Sequence, residues 1–130
     1  MKAKRGFPSK VVAAIRDGKI LGIKAGSAPH RIIGIWVVVV EERVFVRSWS
    51  LKPRSWYRTF LEEPRGIMEV QGKQFRVRAV STRSERLKDA VSRAYREKYD
   101  TPGSVKYALD LGRPKSRATT TELVPLSPRG

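Results

Sequence analysis

HRIIGIWVVVVEERVFVRSWSLKPRSWYRTFLEEPRGIMEVQGKQFRVRAV, residues 30–80, decides the fold. It reads as two β-hairpins around one short helix. Residues 32–40 are β-branched and almost continuously apolar, as a strand covered on both faces is. Glu41, Glu42 and Arg43 make a polar turn. Residues 44–50 then alternate, with Phe45, Arg47 and Trp49 on one side and Val44, Val46, Ser48 and Ser50 on the other. Pro53 suits the first turn of a helix, where its missing N–H has no partner to lose. On that helix Trp56 and Phe60, and Tyr57 and Leu61, stand four apart, and Pro64 ends it. Gly72-Lys73 matches a two-residue hairpin turn with Gly first. Beyond it Phe75, Val77 and Ala79 face inward and Gln74, Arg76 and Arg78 outward.

Outward from this stretch, residues 1–7 read as a basic N-terminal tail. Residues 8–17 read as a helix capped by Ser9, with Val11, Val12 and Ile15 on one face and Gly18 as its stop. A strand is expected over residues 19–24 and a Gly/Ser/Pro loop over 25–29. Thr82-Arg-Ser-Glu85 has the spacing of a capping box. It introduces a longer helix whose apolar positions, Leu87, Ala90, Val91, Ala94, Tyr95 and Tyr99, keep helical spacing. Thr101-Pro102-Gly103 breaks that helix. Irregular turns over 105–111, a loop over 113–116 and a closing strand over 118–126 follow. The pattern is α+β: about six strands and two or three flanking helices in a single domain over residues 8–126, with residues 127–130 as a C-terminal tail.

The 130 residues suffice for one domain with a core, and 40% hydrophobic content fits a globular chain. No apolar run approaches the ~18 residues of a membrane span, and residues 7–15 contain no apolar signal-peptide region. With no cysteine there is no disulfide and no thiolate site, so a soluble cytoplasmic protein is expected. The loudest number is a formal charge of +16, from 28 basic and 12 acidic residues. Such an excess draws phosphates, whether on nucleic acid or on a cofactor. The cations are dispersed rather than massed in a basic tail.

The chemistry is defined first by what is missing. His30 is the single histidine, so no metal site or nucleophile–His pair is expected. Glu41-Glu42 and Glu62-Glu63 are sequence neighbours in turns, which does not suit paired acid–base work. No glycine-rich phosphate loop and no nucleophile elbow is present. What remains is phosphate binding and stacking. Arg47, Ser48, Arg54, Ser55 and Arg58 gather around the end of a strand and the start of a helix, where free N–H groups and guanidinium forks suit phosphate oxygens. Trp36, Trp49 and Trp56 lie within or beside that region. A planar ring bearing a phosphate is the ligand such a set invites, although core packing is the favoured explanation for any single Trp.

Arg31-Ile-Ile-Gly-Ile-Trp36, Val44-Phe-Val-Arg-Ser48, Ser55-Trp-Tyr-Arg58, Glu63-Pro64, Tyr95-Arg-Glu-Lys-Tyr99 and Arg117-Ala-Thr-Thr120, in this order, resemble the flavin-binding split β-barrel superfamily, the pyridoxamine-phosphate-oxidase-like proteins. More narrowly, the chain resembles a small uncharacterised bacterial family within it. The resemblance runs from about residue 7 to residue 125. It implies a six-stranded, mostly antiparallel split β-barrel, a homodimer, and flavin mononucleotide (FMN) or a deazaflavin at the subunit interface. By the same resemblance Arg31 is the strand arginine and Ser48 the strand-closing hydroxyl that hold the flavin phosphate. Ser55 and Trp56 stand where the superfamily has a basic pair, a departure for which Arg47, Arg54 or Arg58 can supply charge. Arg31, Arg47, Ser48 and Arg54 then hold phosphate, and Trp36 and Trp56 line the ring pocket. Two readings follow. One is an oxidoreductase-like protein binding FMN or deazaflavin, whose cofactor carries the redox chemistry. The other is a flavin-free basic barrel that binds nucleic acid by stacking and phosphate contacts, or acts as a dimeric interaction protein.

Overall fold

The computed structural model describes residues 6–28, 31–53 and 55–126. Its elements are α1 (Ser9–Asp17), β1 (Leu21–Ala25), β2 (Ile33–Ile35), β3 (Val38–Val40), β4 (Arg43–Val46), α2 (Trp56–Glu62), β5 (Arg65–Val70), β6 (Lys73–Ser81), α3 (Glu85–Lys98), α4 (Val105–Asp110), α5 (Pro114–Arg117) and β7 (Thr121–Pro125). The strands form one antiparallel sheet in the order β2-β1-β5-β6-β7-β4-β3, curled into a half-barrel. The architecture is the α+β split barrel that the sequence implies. Among the described residues it has seven strands instead of six and five helices instead of two or three.

The seventh strand comes from the apolar run itself. Instead of one strand over residues 32–40, β2 pairs with β1 at one edge of the sheet and β3 pairs with β4 at the other. Trp36 and Val37 cross between the two edges, so the chain closes the barrel covalently where no ladder does. A crossing of this kind strands backbone polar groups, and two tyrosines and a lysine of the α3 end satisfy them. The Val37 N–H donates to the Tyr99 hydroxyl at 3.1 Å, and the Val37 carbonyl accepts from Lys98 Nζ at 2.9 Å. The Tyr95 hydroxyl donates to the Trp36 carbonyl at 3.3 Å. The run is accordingly not buried on both faces throughout: Ile33 is 44% exposed, whereas Val37 and Val38 are buried.

Two apolar clusters hold the fold. Inside the barrel, Ile23, Met68, Val77, Leu123, Val44 and Val46 meet Val12 and Ile15 of α1 and Phe60 of α2. On the outer side of β3 and β4, Val38 and Phe45 are covered by Leu87, Val91 and Tyr95 of α3, with Ala108 and Leu111 of the α4 segment. Phe7 is buried and meets Phe75 edge-on at 6.3 Å, so the expected N-terminal tail already belongs to the core at its seventh residue. Residues 1–5 and 127–130 of the expected tails lie outside the described residues.

Several boundaries move for local reasons. The N-cap of α1 is Pro8, and no side chain caps it, Ser9 included. The β5–β6 turn is Gln71-Gly72, one residue earlier than expected, with both φ angles positive (50° and 81°). That is the primed hairpin geometry that matches strand twist. The β3–β4 turn has the same form on Glu41 (φ 55°) and Glu42 (φ 62°), which pay for it in backbone strain. Ser84, not Thr82, caps α3, accepting from the Leu87 N–H at 3.1 Å. Glu85 is thereby free to pair with Arg117 at 2.8 Å. Residues 113–116 are not loop throughout, because Pro114 starts the single turn of α5.

Gly66 of β5 sets the position of α2. It pairs with Ala25 and Val77, and a Cβ there would meet the Lys24 carbonyl and stand 3.0 Å from the Phe60 ring. Only glycine lets the helix lie this close to the strands. That close approach places Trp56 over the β1–β2 edge.

Candidate functional site

A cavity of about 310 Å³ opens between β1, β2 and the first turn of α2. Its lining is Ile23, Lys24 and Ala25 from β1, Arg31 and Ile33 beside and on β2, and Trp56 and Thr59 from α2. The alternation of β1 directs Ile23 into the barrel, while Lys24, half-buried, borders the outer face. Ser55 caps α2 by accepting from the Arg58 N–H at 3.3 Å, which fixes the first turn and with it the Trp56 ring. Trp56 rests edge-on against Phe60 at 6.0 Å and Tyr57 at 6.3 Å. Neither Lys24 nor Arg31 has an ion-pair partner among the described residues. The cavity thus combines Arg31, one indole and aliphatic walls, with Lys24 at its outer border.

Of the eight residues that the sequence assigns to ligand binding, the seven that the structure describes do not converge. Arg31 and Trp56 do meet in this cavity. Arg54 lies outside the described residues, as does His30. Ser55 and Arg58 serve the local backbone: Ser55 is the cap, and Arg58 Nη1 donates to the Leu51 carbonyl at 3.2 Å. Trp36 lines a different cavity, of about 380 Å³, with Trp49, Tyr107 and Asp110.

Arg47 and Ser48 are turned inward, so the expected phosphate role does not suit them. Arg47 is 2% exposed. Its Nε donates to Thr120 Oγ1, Nη1 to Ser92 Oγ and the Leu111 carbonyl, and Nη2 to the Lys88 carbonyl, each at 2.8 Å. One guanidinium therefore ties β4 to α3, to the end of α4 and to the approach to β7. Burial pulls it down to about 10 from the ordinary 12.5. Its backbone N–H donates to the Tyr95 hydroxyl at 3.1 Å instead of a neighbouring strand, and β4 stops at Val46 for that reason. The Ser48 hydroxyl donates to the Ser50 carbonyl at 2.7 Å and accepts from the Ser50 N–H, closing a tight side-chain turn.

Sequence reasoning missed Lys24, Thr59, Tyr107 and Asp110. Lys24 carried a readable signal: it ends the expected strand at the Gly/Ser/Pro loop, whose Ala25 also lines the cavity. Tyr107 and Asp110 carried none, because their role depends on α4 docking against the loop after β4.

The outer face of the sheet next to the cavity is cationic. Arg65 of β5 stands directly opposite Arg78 of β6, and Arg76 and Lys24 flank Ile67 on its two sides. Arg65, Arg76 and Arg78 are exposed and have no ion-pair partner among the described residues. Like charges directly opposed across strands oppose the fold by about 0.2–1 kcal/mol per pair.

A family model described as "Uncharacterized protein conserved in bacteria (DUF2255)" matches residues 10–123. The crystal structure of conserved hypothetical protein Rv2991 from Mycobacterium tuberculosis is similar in fold, with a TM-score of 0.60 at 11% identity. That match covers 98% of this chain and 85% of the other. A solved structure described as an F420 reductase is also similar, with a TM-score of 0.53 at 14% identity, covering 93% of this chain and 97% of that one. At such identities the likeness concerns the fold. No curated protein matches the chain. Among the described residues no helix is long and apolar enough to cross a membrane.

Proposed function

The chain belongs to the bacterial family DUF2255, and on that premise we propose that it is a flavin- or deazaflavin-binding protein of the split-barrel type, with an oxidoreductase-like role. The observation that carries the reading is the meeting of Arg31 and Trp56, from two separate segments, in one cavity. The pair fits the cofactor's chemistry: an arginine with no ion-pair partner among the described residues suits a phosphate, and an indole wall suits a planar ring. The F420 reductase of similar fold makes a deazaflavin as apt a candidate as FMN. Arg31 is the proposed phosphate contact, with Trp56 as the ring wall. When bound, such a cofactor supplies hydride transfer, and the polypeptide supplies its binding and orientation. At about 310 Å³ the cavity is at the lower end of the ~300–1,000 Å³ range of small-molecule sites. A second copy of the chain covering the remainder of the ligand, in a homodimer, accords with that size.

The test is a titration of the purified protein with FMN and with F420, followed by cofactor fluorescence and absorbance. Saturable binding is expected, weakened at least about tenfold by Arg31→Ala, since a charge-assisted hydrogen bond contributes about 1.5–3 kcal/mol. No binding of either cofactor at tens of micromolar refutes the reading.

A second reading, binding of nucleic acid, draws on the opposed Arg65–Arg78 pair with Arg76 and Lys24 beside it. Its mark is an affinity that falls with salt, by about 0.7–0.9 log units per phosphate contacted per tenfold salt. Absence of DNA and RNA binding at low salt removes it.

A further inference from the structure

The second cavity, independent of the proposed cofactor site, has a composition of its own. Three aromatic side chains, Trp36, Trp49 and Tyr107, line it together with one carboxylate, Asp110. Successive rings meet nearly at right angles: Trp36 and Trp49 at 5.4 Å and 67°, Trp49 and Tyr107 at 6.4 Å and 85°. Walls set this way form a corner, which suits a compact, rounded group better than a flat one. Trp36 is fixed from behind by Tyr99, stacked at 3.8 Å and 5°, and Tyr99 is in turn anchored by its hydroxyl to the Lys19 carbonyl at 2.6 Å. The corner is therefore preformed on one side. Trp49 and Tyr107 are 43% and 46% exposed, well above what core aromatics show.

We propose that this corner binds a methylated ammonium group, with the rings around its methyls and Asp110 facing its charge. Aromatic faces attract cations electrostatically, and methylated ammonium is the kind of cation that aromatic walls hold against water. The Tyr107 ring already attracts one cation, Lys106, whose Nζ stands 5.2 Å from the ring centroid. A carboxylate at the rim is pointed chemistry in a chain with 28 basic and 12 acidic residues. Asp110 has a partner, Arg113, at 3.2 Å, but both side chains are largely exposed (50% and 76%). Exposed pairs of this sort exchange readily for another cation. The chain's overall positive charge acts against any cation at long range, and salt screens that effect beyond about 10 Å.

The group can arrive on a small solute such as choline or on a trimethylated lysine side chain. NMR spectra of the full-length protein separate these sources, because each of the three tryptophans gives its own indole N–H signal. Choline and a trimethyl-lysine peptide, added separately at millimolar concentration, are expected to shift the Trp36 and Trp49 signals and leave Trp56 in place. The tighter of the two identifies the source. The neutral tert-butyl analogue of choline should bind at least about fivefold more weakly, the share owed to charge. Tyr107→Ala and Asp110→Asn, both exposed and replaceable without harm to the core, should weaken binding, and Tyr107→Phe should retain it. Equal binding of the neutral analogue, no shift with either cation, or a shift at these two indoles with a nucleoside monophosphate alone overturns the proposal.

Discussion

Replacing Arg47 by Met separates a structural arginine from a ligand-binding one. The guanidinium makes four hydrogen bonds, each at 2.8 Å, to groups on three different segments of the fold. Bonds from a charged donor contribute about 1.5–3 kcal/mol each, but desolvating the ion takes back several kcal/mol, which the Met variant recovers. What it does not recover is the pairing of the Leu111 carbonyl, which takes its bond from Nη1, and the tie between β4 and the α3–α4 unit. A net loss of about 3 kcal/mol is expected, a large part of the roughly 5–15 kcal/mol that holds a domain together. For a chain of this size that lowers the melting temperature by about 10 °C. Urea unfolding followed by circular dichroism measures the first quantity and a thermal scan the second. In the fraction that stays folded, binding of FMN or F420 should be unchanged. A variant as stable as the parent but deficient in cofactor binding refutes the strut and returns Arg47 to the ligand site.

Four other outcomes follow from local geometry. Lys98 is held down to about 8 by burial, with Lys19 adding repulsion, so the unfolded chain binds its proton more tightly; stability should rise as pH increases from about 8 toward 10.5, and Lys98→Met should remove that rise. Above pH 10 the sign reverses, because burial raises Tyr95 and raises Tyr99 to about 12, and the native state then holds protons that the unfolded chain releases; unfolding curves taken across this range should show a maximum. Gly66→Ala should destabilise by about 2–4 kcal/mol, since its methyl runs into the Lys24 carbonyl and the Phe60 ring, and unchanged urea unfolding would contradict that packing. Replacing Glu41-Glu42 by Asn-Gly should raise the melting temperature by about 2–4 °C, despite losing the exposed pairs to Arg86 and Arg16, because both positions have positive φ.

The elements that the sequence made legible are those whose signal is local. The α3 spacing from Leu87 to Tyr95, the Trp56–Phe60 face of α2 and the β6 alternation all appear as expected, because each reflects one face meeting one core. The division of residues 32–40 was not legible. An unbroken apolar run gives the same pattern whether it stays in one strand or passes between two edges, and Val37 is buried either way. The candidate site divides along the same line. Arg31 and Trp56 were readable from their motif context and do meet. Arg47 followed the arginine pattern of a phosphate binder, but its environment is set by Ser92, Leu111 and Thr120, 45 or more residues away in the chain. No local pattern reports an acceptor that distant.

The two-residue crossing at Trp36 and Val37 also sets a mechanical limit. Two linking residues make three steps of extended chain from Ile35 to Val38, about 10 Å, so the seam between β2 and β3 can gape by little more than that before the chain is taut. Ile33, on one bank of the seam, lines the first cavity, and Trp36, on the span itself, lines the second. A molecule that wedges β2 outward therefore draws on the same short tether from which the indole of Trp36 hangs. The crossing works as a fixed-length ruler that limits how far the two banks of the seam can part.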